Sequence, residues 1–130
     1  MAMLQFFERS SGGAVPIANL QADETIQIMP ANVGELIGYG FARVTELFNG
    51  TGTATVIIIG DDGVGDRFFV DGDIDEVAKG TYEGKGAGLD NAYLYTTANT
   101  IDVGFTKDAG NDGTTGIFDV WFYIARVFPH

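Results

Sequence analysis

Ile117-Phe118-Asp119-Val120-Trp121-Phe122-Tyr123-Ile124-Ala125-Arg126-Val127-Phe128 is the stretch on which the fold turns. Phe118, Val120, Phe122 and Ile124 share one phase of a two-residue period. Asp119, Trp121, Tyr123 and Ala125 share the other. Side chains alternate across a strand, so the first set predicts a continuous core-facing stripe and the second a separate face.

The same period recurs upstream. Across Thr100 to Thr106, Ile101, Val103 and Phe105 point in while Asp102 and Gly104 point out. Thr25 to Met29 sets Ile26 and Ile28 on one side, and Pro30-Ala31-Asn32 is read as a turn. Thr53 to Ile59 is rich in β-branched residues and apolar on both faces, which predicts a strand covered on both sides. In Leu36 to Phe48, Ile37, Tyr39 and Phe41 take one phase and Leu36, Gly38 and Gly40 the other. The two glycines predict close approach of another backbone, and each would cost about 1 kcal/mol in a helix over Glu35 to Leu47. Arg67 to Val70 reads as a short strand, and Ala92 to Thr97 places Tyr93 and Tyr95 together opposite Leu94.

Between these runs lie turn signals. Asn49-Gly50-Thr51-Gly52 is of hairpin type, Lys107 to Thr115 is a Gly/Asp/Asn/Thr loop, and Asp71 to Gly88 is polar and Gly-rich. Ala14 to Ala18, with Pro16, reads as an edge or linker. About eight short strands and no helix predict an all-β, single-domain β-sandwich of jelly-roll type. Residues 1–13 are then an N-terminal arm or a first strand, and 14–130 the sandwich domain.

Composition agrees with one domain. The chain has 130 residues, 45% of them hydrophobic, with 19 Gly against 3 Pro. There is no cysteine, which excludes disulfides and thiolate chemistry. No apolar run reaches the roughly 18 residues of a membrane span, and Met1 to Arg9 lacks a signal peptide's basic n-region. The formal net charge of −11 opposes phosphate backbones and anionic membranes, so neither nucleic acid nor membrane is expected as a partner.

Catalytic chemistry finds little purchase. The only serines are Ser10 and Ser11 and the only histidine is His130, which leaves no basis for a serine–histidine–acid triad or a His-rich metal site. Glu35, Glu46, Glu76 and Glu83 are the glutamates a glycosidase pair would draw on, and they read as solvated surface carboxylates. Asp61, Asp62 and Asp66 form one acidic loop; Asp71, Asp73, Asp75 and Glu76 form the next. The second sets oxygens at alternate positions, as a calcium loop does, but lacks the central Gly and twelfth-position Glu of an EF-hand. Both loops are therefore expected to be solvated turns. No enzyme, cofactor or metal is expected.

A recurring pattern carries more. It runs through Leu36-Ile37-Gly38-Tyr39-Gly40-Phe41-Ala42-Arg43-Val44, Phe48-Asn49-Gly50-Thr51-Gly52-Thr53-Ala54, Ile59-Gly60-Asp61 and Arg67-Phe68. It continues in Tyr93-Leu94-Tyr95-Thr96-Thr97-Ala98-Asn99-Thr100-Ile101-Asp102-Val103 and closes on Gly116 to Tyr123. Over roughly Thr25 to Val127 this resembles the small structural proteins of tailed bacteriophages encoded near the major capsid protein, the head decoration or cement proteins. The N-terminal stretch and Asp71 to Gly88 stand outside the pattern. The resemblance implies a β-sandwich bound to the capsid surface of the virion, with the major capsid protein and its own copies, commonly as a trimer, for partners.

The residues supply candidates for such contacts. Trp121 and Tyr123 lie on the face opposite the core stripe, Ile57 belongs to a strand apolar on both faces, and Leu4, Phe6 and Phe7 form an apolar N-terminal patch. A sandwich covers one face of each strand, so a second apolar face calls for a partner. The alternative is a tail- or surface-associated carbohydrate-binding module, with Trp121, Tyr93 and Tyr95 as a stacking platform.

Overall fold

A computed structural model describes residues 2–11, 24–46, 56–75, 78–85, 92–106 and 116–129; at 2–4, 24 and 127–129 it describes the backbone alone. The expected piece Ala14 to Ala18, the turn Asn49 to Gly52, the loop Lys107 to Thr115, Glu76 and His130 lie outside the described residues. Eight strands follow one another: β1 Ala2–Ser10, β2 Glu24–Ala31, β3 Glu35–Glu46, β4 Val56–Gly60, β5 Gly80–Glu83, β6 Ala92–Leu94, β7 Asn99–Thr106 and β8 Ile117–Pro129. Among the described residues there is no helix.

The strands form two antiparallel sheets. One runs β1-β8-β3-β5, with β6 also on β3; the other runs β2-β7-β4. The pairings nest: β1 with β8, β2 with β7, β3 with β6, and Ile59 of β4 bridged to Phe69. A long antiparallel ribbon rolled over itself gives this nesting, and that is the jelly roll. The sandwich expected from the strand pattern is the fold observed.

The core lies between the inner faces. Phe118, Val120, Phe122 and Ile124 of β8 are buried, as their phase predicts, and meet Ile101, Val103 and Phe105 of β7 and Ile57 and Ile59 of β4. Phe68 and Phe69 close the stack edge-on to Phe122, with ring centroids 5.0 and 6.1 Å away. Each such side chain contributes about 1.5–3 kcal/mol by leaving water.

β3 departs from its expected phase. Gly38 pairs with Tyr123 and Phe41 with Trp121, so β3 holds one more residue than β8 over that interval. This is a β-bulge, and Tyr39 occupies it with φ +50°, in the left-handed region. The bulge reverses the alternation. Ile37 is buried, whereas Tyr39 is exposed and Phe41 lies on the outer face. The close approach at Gly40 comes from rings rather than a backbone: a Cβ there would sit 2.4 Å from Phe122 and 2.8 Å from Phe69.

Three other local expectations change. Pro30 continues β2 opposite Thr100, and the chain turns at Asn32-Val33-Gly34, where Gly34 has φ +87°. Arg67 to Val70 contributes a single bridge rather than a strand. Gly80–Glu83, inside the segment without clear periodicity, forms β5 on β3.

Candidate functional site

The outer face of the larger sheet is the molecule's most conspicuous surface. Register places Trp121, Tyr123 and Ala125 of β8, Leu36 and Phe41 of β3, Leu94 of β6 and Phe6 of β1 on it. Phe6 is 73%, Tyr39 60%, Leu94 53%, Tyr123 49% and Leu36 42% exposed. Phe41 is the hub of the aromatic cluster, stacked on Trp121 at 5.8 Å and edge-on to Tyr123 at 6.1 Å. Beside it a groove of about 300 Å³ is floored by Gly38, Ala92 and Ala125 and flanked by Phe6, Leu36, Tyr39 and Tyr123. Three small residues on three neighbouring strands make the depression, and the large ones wall it.

The expected contact residues divide. Phe6, Trp121 and Tyr123 come together on this face. Phe7 pairs with Ile124 and packs against the core, its ring beneath the guanidinium groups of Arg126 and Arg9 at 4.9 and 5.3 Å. Ile57 is 1% exposed and belongs to the core, so it presents nothing to a partner. The outward side chains of that strand are Val56 and Ile58, and Ile58 lies across Gly104 and beside Gly65. Leu4 is placed in β1 opposite Val127. Leu36, Tyr39, Phe41 and Leu94 escaped the sequence reading. Leu36 and Leu94 were legible as the phase opposite Ile37 and Tyr93; Tyr39 and Phe41 required the bulge.

The stacking platform does not form. Trp121 is on the outer face, while Tyr93 pairs with buried Ile37 and so stands on the inner side. Tyr95 is 2% exposed, and the Arg67 guanidinium covers the Tyr93 ring at 3.6 Å.

Two carboxylates expected in solvent are instead buried. Glu35 is fully buried and clasps three strands together. It accepts two hydrogen bonds from Arg9 of β1, both 2.7 Å, and one from the Asn32 N–H at 2.8 Å; Arg126 of β8 lies at 3.3 Å. Burial alone would raise its pKa, but the Arg9 and Asn32 hydrogen bonds and the two guanidinium charges outweigh it and hold the carboxyl below its ordinary value.

Asp61 stands at the same end of the sandwich, joined to Glu35 through Tyr95, whose N–H donates to the Glu35 carbonyl at 2.9 Å and whose hydroxyl donates to Asp61. Its Oδ1 accepts the N–H groups of Gly63 and Val64, and its Oδ2 accepts Arg67 Nε at 2.6 Å and the Tyr95 hydroxyl at 2.7 Å. Both oxygens are thus taken by donors of the chain itself. Burial pushes this pKa up, and the Arg67, Tyr95 and Val64 bonds bring it below the ordinary value; burial and Asp61 together raise the Tyr95 phenol. In the second acidic loop Asp73 accepts the N–H groups of Val70 and Lys85, which fastens the loop beside β5. Among the described residues no three acidic or histidine side chains converge as a metal site would require.

No family model matches the sequence, and no curated protein matches it. Solved structures do share the fold. A chain of the cyanophage Pam1 capsid asymmetric unit superposes with a TM-score of 0.60 at 14% identity, covering 96% of this chain and 84% of that one. A chain of the acidic stable capsid structure of Helicobacter pylori bacteriophage KHP30 gives 0.59 at 10% identity and covers 100% of both. At these identities the likeness is one of fold.

Proposed function

We propose that this chain is a structural protein of a bacteriophage virion, and that it serves there as a head decoration or cement protein docked on the capsid exterior. The observation that carries the reading is the apolar face of β1, β8, β3 and β6, which stands exposed among the described residues. A two-layer sandwich uses one face of each sheet for its core and normally solvates the other. Here the second face carries Phe6, Leu36, Tyr39, Phe41, Leu94, Trp121 and Tyr123. A contiguous patch of that kind on an otherwise acidic protein marks a binding surface. The fold likeness to chains of two phage capsids supports a capsid as what it binds.

In this reading the chain's work is binding rather than catalysis. Many weak sites on one lattice act together, so cementing needs only modest affinity at each site. Co-sedimentation tests it. Heads of the phage that carries the gene, prepared without this protein, should take up the purified chain to saturation and resist heat or low salt better afterwards. Heads that take up none would defeat the reading, and a glycan-array signal from the isolated domain would favour the carbohydrate-binding alternative.

A further inference from the structure

We propose that Tyr39 is the anchor of this docking face, and that it grips an apolar side chain flanked by Lys or Arg on the capsid protein. The inference rests on the decoration reading and names the partner's chemistry at one residue.

The first observation is backbone strain. Tyr39 holds φ +50° between Gly38 and Gly40, either of which would occupy the left-handed region more easily. Bulges re-aim a side chain, and strain of this kind is kept where it serves binding. The core dictates where the bulge falls, because a Cβ at Gly40 would meet Phe122 at 2.4 Å. The product is a ring 60% exposed, standing at the wall of the apolar groove. Tyrosine in such a place offers a large, stiff, amphipathic contact at low entropic cost, the character of an interface hot spot.

The second observation is charge. Arg9 and Arg126 serve Glu35, Arg43 serves Asp119, and Arg67 serves Asp61, so every arginine of the sequence is bound to a carboxylate of its own chain. On the outer face Glu8 stands opposite Tyr123 and Glu83 opposite Phe41. Among the described residues neither is ion-paired. An apolar groove with carboxylates on its margins suits a partner with basic residues around an apolar one. A second copy, with net charge −11 and the same margins, is repelled.

The test measures head binding, melting temperature and solution mass for wild type, Tyr39→Phe, Tyr39→Gly and the double variant Glu8→Gln/Glu83→Gln. Tyr39→Phe keeps the ring and should bind within about twofold of wild type. Tyr39→Gly should bind roughly thirty-fold more weakly while melting no lower, because glycine relieves the left-handed backbone. The double variant should bind more weakly and with a shallower salt dependence. Wild-type-like binding by Tyr39→Gly would overturn the anchor and leave the decoration reading intact; absence of wild-type binding would sink both. A melting temperature well below wild type in Tyr39→Gly would make the ring a strut. Salt-insensitive binding unmoved by the double variant would refute a basic partner. A multiple of the 13.9 kDa mass that collapses in Tyr39→Gly while head binding persists would give the face to a second copy.

Discussion

Glu35→Gln should be among the most damaging single-atom-scale changes in this molecule. The carboxylate is fully buried and takes two charged hydrogen bonds of 2.7 Å from Arg9, one of 2.8 Å from Asn32, and the Arg126 charge at 3.3 Å. Glutamine keeps the shape but turns an NH2 toward a guanidinium donor. Breaking a buried pair from one side costs roughly 3–5 kcal/mol, because the remaining charge stays in low dielectric. Arg9 and Arg126 keep 17% and 32% of their side-chain exposure, so water recovers part of that loss. About 3 kcal/mol is the expected net, which lowers the melting temperature by on the order of 10 °C for a chain of this length. Thermal unfolding followed by circular dichroism reads it. The deficit should persist in about 1 M salt, since a buried pair is poorly screened. The Arg43–Asp119 pair, with Arg43 54% exposed, supplies the control: Asp119→Asn should cost no more than about 1 kcal/mol. A Glu35→Gln protein melting within about 3 °C of wild type would refute the clasp, as would a deficit that salt abolishes.

Three further outcomes are expected. Phe122→Ala removes a fully buried ring in contact with Phe68 and Phe69 and should cost roughly 3–5 kcal/mol by denaturant unfolding; a loss under about 1 kcal/mol would contradict its place in the core. Gly40→Ala should destabilise by about 1–3 kcal/mol through the Phe122 and Phe69 clash, and combining it with Phe122→Leu should be less than additive; strict additivity would show that the two sites do not meet. The pH profile should carry two opposed contributions. Burial, with Asp62 and Asp61 nearby, raises the Asp102 carboxyl despite its Thr100 hydrogen bond, so its contribution is full below the unfolded value and is lost as pH rises through the folded one. Glu35 and Asp61, held below their ordinary values, contribute above the unfolded value and lose it as pH falls through the folded one. Acidification through the carboxylate range should therefore lower the melting temperature through Glu35 and Asp61, with protonation of Asp102 opposing that fall. Asp102→Asn should remove that opposition alone, and an unchanged profile would discount Asp102.

The sequence discloses whatever depends on period. β8 and β7 alternate cleanly, and their inward residues Phe118, Val120, Phe122, Ile101 and Val103 are buried as expected, whereas in β2 a bulge between Gln27 and Met29 buries Met29 and leaves Ile26 and Ile28 partly buried. The strand read as covered on both sides is buried on one: Ile57 and Ile59 are in the core, whereas Val56 and Ile58 are only partly covered, Ile58 lying over Gly104 and beside Gly65. What alternation hides is a change of phase. One inserted residue at Tyr39 sends Ile37 inward and Phe41 outward, and nothing in Gly38-Tyr39-Gly40 says which residue is the extra one. Contacts across long sequence gaps are equally hidden. Glu35 looks like an ordinary turn carboxylate until β1 and β8 bring Arg9 and Arg126 against it. Tyr93 and Trp121 read as one platform until pairing sets them on opposite sides of a sheet.

The nested pairing also decides when the molecule can exist. β1 runs beside β8 from Ala2–Pro129 to Ser10–Trp121, so the first of the eight strands to be synthesised waits for the last of them. At ordinary translation speeds of about 5–20 residues per second, that wait is on the order of ten seconds. β8 also sits between β1 and β3, so a nascent chain without it has neither neighbour joined. The pairs differ in the length of chain each one spans: β4 with its Phe69 bridge the shortest, then β3 with β6, β2 with β7, and β1 with β8 the longest. A formal net charge of −11 makes copies of the chain whose ribbon is still open repel one another, which opposes their association through unpaired strands.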